Sequence, residues 1–117
     1  MEPFDEAAAL ENLTVDKVRA LYEKHGLEPI QGDHRLTKDG KACGACILGI
    51  LAIDGQDVQN LNRIGERTPL EEVSMANMMF LEDLEAGWEK WYEEVRGANA
   101  AWKRGRELAR ALSPRRV

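Results

Sequence analysis

The chain has 117 residues, 44% of them hydrophobic and 32% charged, and a formal net charge of −5 at pH 7. That length suits one domain with a modest core, and that composition excludes a disordered chain. The longest apolar run, Ala45 to Ile53, is less than half the roughly 20 residues that a membrane-spanning helix needs.

Taken in chain order, the first predicted element is a short helix within residues 3–12, where Asp5 to Leu10 are good helix formers. The acidic opening lacks the basic region of a signal peptide, so a cytoplasmic location is expected. Thr14 then reads as an N-cap, Asp16 suits a helix start, and Val15, Val18, Leu21 and Tyr22 form an apolar stripe. Gly26 after His25 is a natural stop. Lys38-Asp39-Gly40-Lys41 has the Asp-Gly centre of a tight hairpin, which predicts a two-stranded ribbon over about residues 34–43. Such a ribbon is marginal alone and must lean on helices.

The apolar segment 45–53 reads as a short buried helix, with Asp54-Gly55 ending it. A helical piece around residues 58–64 is a further option. Thr68-Pro69-Leu70-Glu71 has the capping pattern of a strong helix start. Leu70, Val73, Asn77, Phe80, Leu84, Trp88, Trp91 and Val95 then recur at steps of three and four. Met75, Met78, Met79 and Leu81 add a second apolar face, and Gly87 offers a break that would make 88–95 a separate short helix. The last helix spans 98–112, with Trp102, Gly105, Leu108, Ala109 and Leu112 on one face. Gly105 inside a helix suggests close packing. Ser113-Pro114 ends it, and residues 114–117 are expected to be a frayed basic tail beyond a single domain spanning 1–113.

In this order, the segments GLEPIQG, DGKACGACILGILA, EAGWEKWY and AWKRGRELARAL resemble a loose group of small uncharacterised bacterial and phage proteins. The shared layout is an N-terminal helix, a glycine-containing D-G hairpin, a cysteine followed by an L-G-x-L segment, and a C-terminal aromatic-x-x-G-R helix. The resemblance covers most of residues 14–112. It implies the architecture and a phage or mobile-element origin, and it brings no activity with it. Cys46 departs from the commoner pattern of that group.

Cys43 and Cys46 stand in a C-x-x-C spacing. Two cysteines in a reducing compartment are better read as thiols or metal ligands than as a disulfide. A helix start and Lys41 would favour a thiolate, but a thioredoxin-type site needs a strand-helix-strand setting that is not visible here. Cys43, Cys46, His34 and His25 are the candidate zinc ligands, enough for a tetrahedral site, though the histidine spacing is not that of a zinc finger. Against both stands burial as small hydrophobes, with the two cysteines one helical turn apart and sharing a face with Ile50. That reading carries more weight.

Charge is uneven: nine acids face two bases between 66 and 94, and six bases face one acid between 103 and 117. The basic end lacks an aromatic platform, so nucleic acid is not the expected partner, and the basic helix is expected to pair with the acidic one or stay solvated. No phosphate-binding loop, dinucleotide glycine motif or Ser-His-Asp pattern is present. The expectation is a compact, mainly α-helical domain with one short β-hairpin packed on it. Its expected role is a non-enzymatic protein-interaction or regulatory factor with an acidic surface, the alternative being a zinc-binding or thiol-redox protein using Cys43 and Cys46. Met75, Met79, Glu82, Glu85, Trp88 and Trp91 are the candidate contact residues toward a protein partner, including a homodimer. No cofactor other than that zinc is expected, and no membrane.

Overall fold

A computed structural model describes residues 4–54 and 75–117. Two capped helices open the chain. In α1 (Glu6–Asn12) the Asp5 carboxylate accepts a hydrogen bond from the Ala8 amide at 3.2 Å. In α2 (Val15–His25) the Thr14 hydroxyl accepts from the Lys17 amide at 3.3 Å, and Gly26 closes the helix in the left-handed conformation. These are the side-chain caps that short polar residues provide for the unpaired first-turn amides.

The expected hairpin is present as β2 (Arg35–Lys38) and β3 (Lys41–Ala45), paired antiparallel. Asp39 and Gly40 both have positive φ, 54° and 77°, as a two-residue turn matched to strand twist requires. The register slips between Leu36 and Thr37, which face Gly44 and Ala42. Cys43 is therefore the extra residue of a β-bulge. The ribbon is part of a larger sheet, ordered β2-β3-β1-β4, in which β1 (Glu28–Gln31) runs parallel to both β3 and β4 (Arg115–Arg116). Strands of four and two residues are too short to show a period, so neither was visible in the sequence.

The basic tail is thus not frayed. Arg115 and Arg116 stand opposite Ile30 and Gln31, and the Val117 amide donates to the Gln31 carbonyl at 2.9 Å. Arg115 reaches Glu28 at 2.7 Å and Arg116 reaches Glu89 at 3.2 Å. The Glu89 carboxylate also accepts from the Gly32 amide through both oxygens, so one side chain joins the β1–β2 loop to the tail.

The apolar segment enters its helix later than expected. Ala45 still belongs to β3, Cys46 is the N-cap, and α3 runs from Ile47 to Ile53. Cys43 and Cys46 are therefore not one helical turn apart on a shared face. The Cys46 amide donates to the His34 carbonyl at 3.1 Å, which carries the strand pairing up to the helix start.

The proposed start at 68–71, the stripe positions Leu70 and Val73, and the helical piece at 58–64 lie outside the described residues. From Met75, α4 runs to Glu89 (Met75–Glu89) without a break at Gly87. Trp88 to Val95 is not a separate helix. Gly87 is there for space: a Cβ on it would collide with the Trp102 carbonyl oxygen, and a Cβ on Gly105 would collide with the Leu84 carbonyl oxygen. The two glycines let α4 and α5 (Ala100–Leu112) approach backbone to backbone. Close packing offsets the roughly 1 kcal/mol that glycine costs within a helix.

Asn77, Phe80, Leu81, Leu84, Gly87 and Trp88 are the buried positions of α4, one face of a 3.6-residue period. Trp88 is fully buried and stacks on Tyr22, with centroids 6.4 Å apart and planes within 7°. Its indole N–H donates to the Ile30 carbonyl at 2.8 Å, its own carbonyl accepts from the Gln31 amide group at 2.6 Å, and the Tyr22 hydroxyl donates to the Ala45 carbonyl at 2.8 Å. These bonds satisfy the polar atoms that buried aromatic residues bring with them. Arg104 of α5 donates to the Leu10 and Leu13 carbonyls, which supplies partners for the carbonyl end of α1.

Candidate functional site

The sequence pointed to two places, the cysteine pair and the outer face of α4. At the first, Cys46 is 1% exposed. Its sulfur accepts from the Gly49 amide and lies 3.4 Å from His34 Nδ1. Burial is the largest influence on this thiol and pushes its pKa up to about 11, against the lowering effect of the Gly49 and Leu48 amides; Glu85 and Glu89 add to the rise. The thiol is therefore protonated at neutral pH. His34 Nδ1 is the polar side-chain atom beside this sulfur.

A cleft of about 320 Å³ lies outside this pair, lined by His34, Arg35, Gly49, Ala52 and Ile53. Cys46 is not among its walls. Gly49 is necessary here, because a Cβ would collide with the His34 carbonyl oxygen and lift β2 off α3. The sulfur is thus closed in by the same contact that brings His34 to it.

The remaining candidate ligands are elsewhere. Cys43 is half-buried at the bulge, and both cysteines are free thiols. His25, at the end of α2, has its Nε2 2.6 Å from Asp54 Oδ1, and Lys24 reaches the same oxygen at 2.9 Å. That cluster ties the ends of α2 and α3 together. Among the described residues, no three His, Cys, Asp or Glu side chains converge into a group that could hold a metal ion. The four proposed zinc ligands are not brought to one point.

At the second place the expected face divides. Trp88 points into the core and is withdrawn from the contact residues. Its spacing from Phe80 and Leu84 puts it on the buried side of α4. Met79 is 55% exposed, Met78 45%, and Glu82 is exposed beside them. Glu85 is half-buried. The Met75 side chain lies outside the described ones. Trp91 is 36% exposed, packed edge-on against Tyr92 in the turn after α4. It lies beyond the end of α4 and is not among the residues that line the surface beside Met79. The Arg106 guanidinium donates to the Trp91 carbonyl at 3.0 Å.

A groove beside Met79 was not foreseen. It has a volume of about 270 Å³ and is formed where the chain start before α1, the α4 outer edge and the first turn of α5 meet. Its members Phe4, Asp83 and Asn99 are scattered over the sequence, so no local pattern announced it. The one sequence signal was the methionines lying off the main apolar stripe. Comparisons of this chain with protein-family models, with curated proteins and with solved structures find no match.

Proposed function

We propose that this protein acts by binding another protein, as an accessory or regulatory factor without catalytic chemistry of its own. The contact is placed on the outer edge of α4, with Met79 and Glu82 as its central residues. The observation that carries this reading is the exposure of adjacent Met78 and Met79 on a helix whose other face is committed to the core. Unbranched, polarizable thioethers adapt to the shape of a partner, and covering them recovers about 25 cal/mol per Å² of apolar surface. Glu82 adds a charge that orients an approaching partner.

A second copy of this chain is one form the partner can take. A cytoplasmic setting and a phage or mobile-element source belong to the same reading, the latter through the resemblance of its D-G hairpin and C-terminal helix segments. No helix among the described residues is long and apolar enough to cross a membrane. The thiol alternative has less support, since a sealed, protonated Cys46 is a poor nucleophile.

The test is capture from a bacterial lysate on immobilised protein, beside sedimentation velocity of the free protein. Met79→Asp is the discriminating variant, because an exposed position tolerates the charge. The expected result is that a retained partner, or a dimer, is lost in Met79→Asp while the melting temperature is unchanged. Equal retention by wild type and variant overturns the reading.

A further inference from the structure

We propose that the α4 edge, together with the groove beside it, receives a basic amphipathic helix. This rests on the reading of α4 as the contact surface and names the class of partner. The groove has an apolar floor. Phe80 and Ala101 are buried beneath it, and the Phe4 ring lies 5.3 Å from that of Phe80 at 56°. Met79 forms its wall. A groove of about 270 Å³ has room for apolar side chains presented by one face of a helix.

The rim decides the sign of the partner. Glu6 and Asp83 line the groove and Glu82 adjoins it, while among the described residues no lysine or arginine is in its walls. Asp83 accepts a hydrogen bond from the Asn99 amide group at 2.6 Å. That donor is neutral and leaves the carboxylate charge in place. Asn99 is itself held, since its side-chain oxygen accepts from the Trp102 amide at 2.9 Å as the N-cap of α5.

An apolar floor inside an acidic rim is complementary to a helix with apolar anchors at i and i+4 and Lys or Arg beside them. An acidic peptide or a nucleic acid would bring like charge to this rim, which opposes binding. The basic helix of a second copy does not qualify. The apolar side of α5, with Leu108 and Ala109, is already buried in its own core.

The experiment uses two fluorescently labelled helical peptides with the same leucine face, one with lysine and one with glutamate at the other positions. Anisotropy titrations are made against wild type, Met79→Asp and Glu82→Lys, with melting temperatures confirming the fold of each. The lysine peptide is expected to bind saturably, more weakly in added salt. A loss of about tenfold or more is expected in both variants, as for central interface residues, and the glutamate peptide is expected not to bind. No binding of the lysine peptide, equal binding of both peptides, or binding unchanged in Met79→Asp overturns the proposal. So does a dimer that Met79→Asp dissociates, because the occupant is then a second copy. If the lysine peptide fails but Met79→Asp still abolishes partner capture, the partner class is wrong and the α4 contact stands. If Met79→Asp changes neither, both readings fall together.

Discussion

A cysteine at a helix N-cap ordinarily becomes more acidic, because first-turn amides point at its sulfur. Cys46 has that geometry, with the Gly49 amide on its sulfur, yet its pKa rises to about 11 because burial outweighs the amides. The contrast with half-buried Cys43 is directly measurable. Iodoacetamide followed by intact-mass analysis should add one label to the native protein, on Cys43, and a second only after unfolding. Rapid double labelling would mean that the His34–Gly49 contact does not close over the sulfur. The raised pKa also has a consequence for stability. Between the ordinary thiol value near 9 and about 11, the unfolded chain loses this proton and the folded chain keeps it. Folding is therefore weakened as pH rises through that window, by up to about 2–3 kcal/mol from this group. Tyr22, also raised mainly by burial, acts in the same direction at higher pH. Urea titrations at pH 8 and 10.5 should show a smaller pH effect in Cys46→Ala than in wild type, and an equal effect would refute the assignment to Cys46.

Elements in this protein approach closely where glycines remove a side chain from the contact. Gly87 and Gly105 each face a carbonyl oxygen of the opposite helix, so alanine at either position forces α4 and α5 apart. Gly105→Ala should lower stability by about 2 kcal/mol or more in urea titrations, as overpacking does, although alanine is the better helix former. A stabilised Gly105→Ala would contradict the close approach. Gly105 was legible as a packing glycine because a flanking stripe of Trp102, Leu108 and Ala109 surrounds it. Gly87 was not, since its partner, the Trp102 carbonyl, lies fifteen residues on and leaves no trace near 87. Helix caps at Thr14 and the Asp39-Gly40 turn were legible because both are decided by neighbours in the chain. The late start of α3 was not legible: an apolar run has no period that separates a buried strand end from a helix.

Across the whole molecule, the last residues return to the first strand, and Glu89 gathers the crossing point. Its carboxylate accepts from the Gly32 amide and from Arg116, with Gln31 and Trp88 bonded next to it. Glu89→Ala should cost about 1–3 kcal/mol, the range for unpairing a half-buried charged group and an amide. Thermal melts of that variant and of Arg116→Ala should move in the same direction; an unchanged Glu89→Ala would show the clamp to be incidental. By itself the sequence determined the helical class, the caps, the hairpin turn and the methionines outside the main stripe, because each depends on residues within a turn or two of one another. Only the tertiary structure decided that β1 and the tail pair, that Trp88 faces inward, that the sulfur of Cys46 is sealed and that Phe4, Met79 and Asp83 share a groove. Those outcomes depend on burial and on contacts between distant residues, and burial is a property of the packed chain that no local spacing encodes.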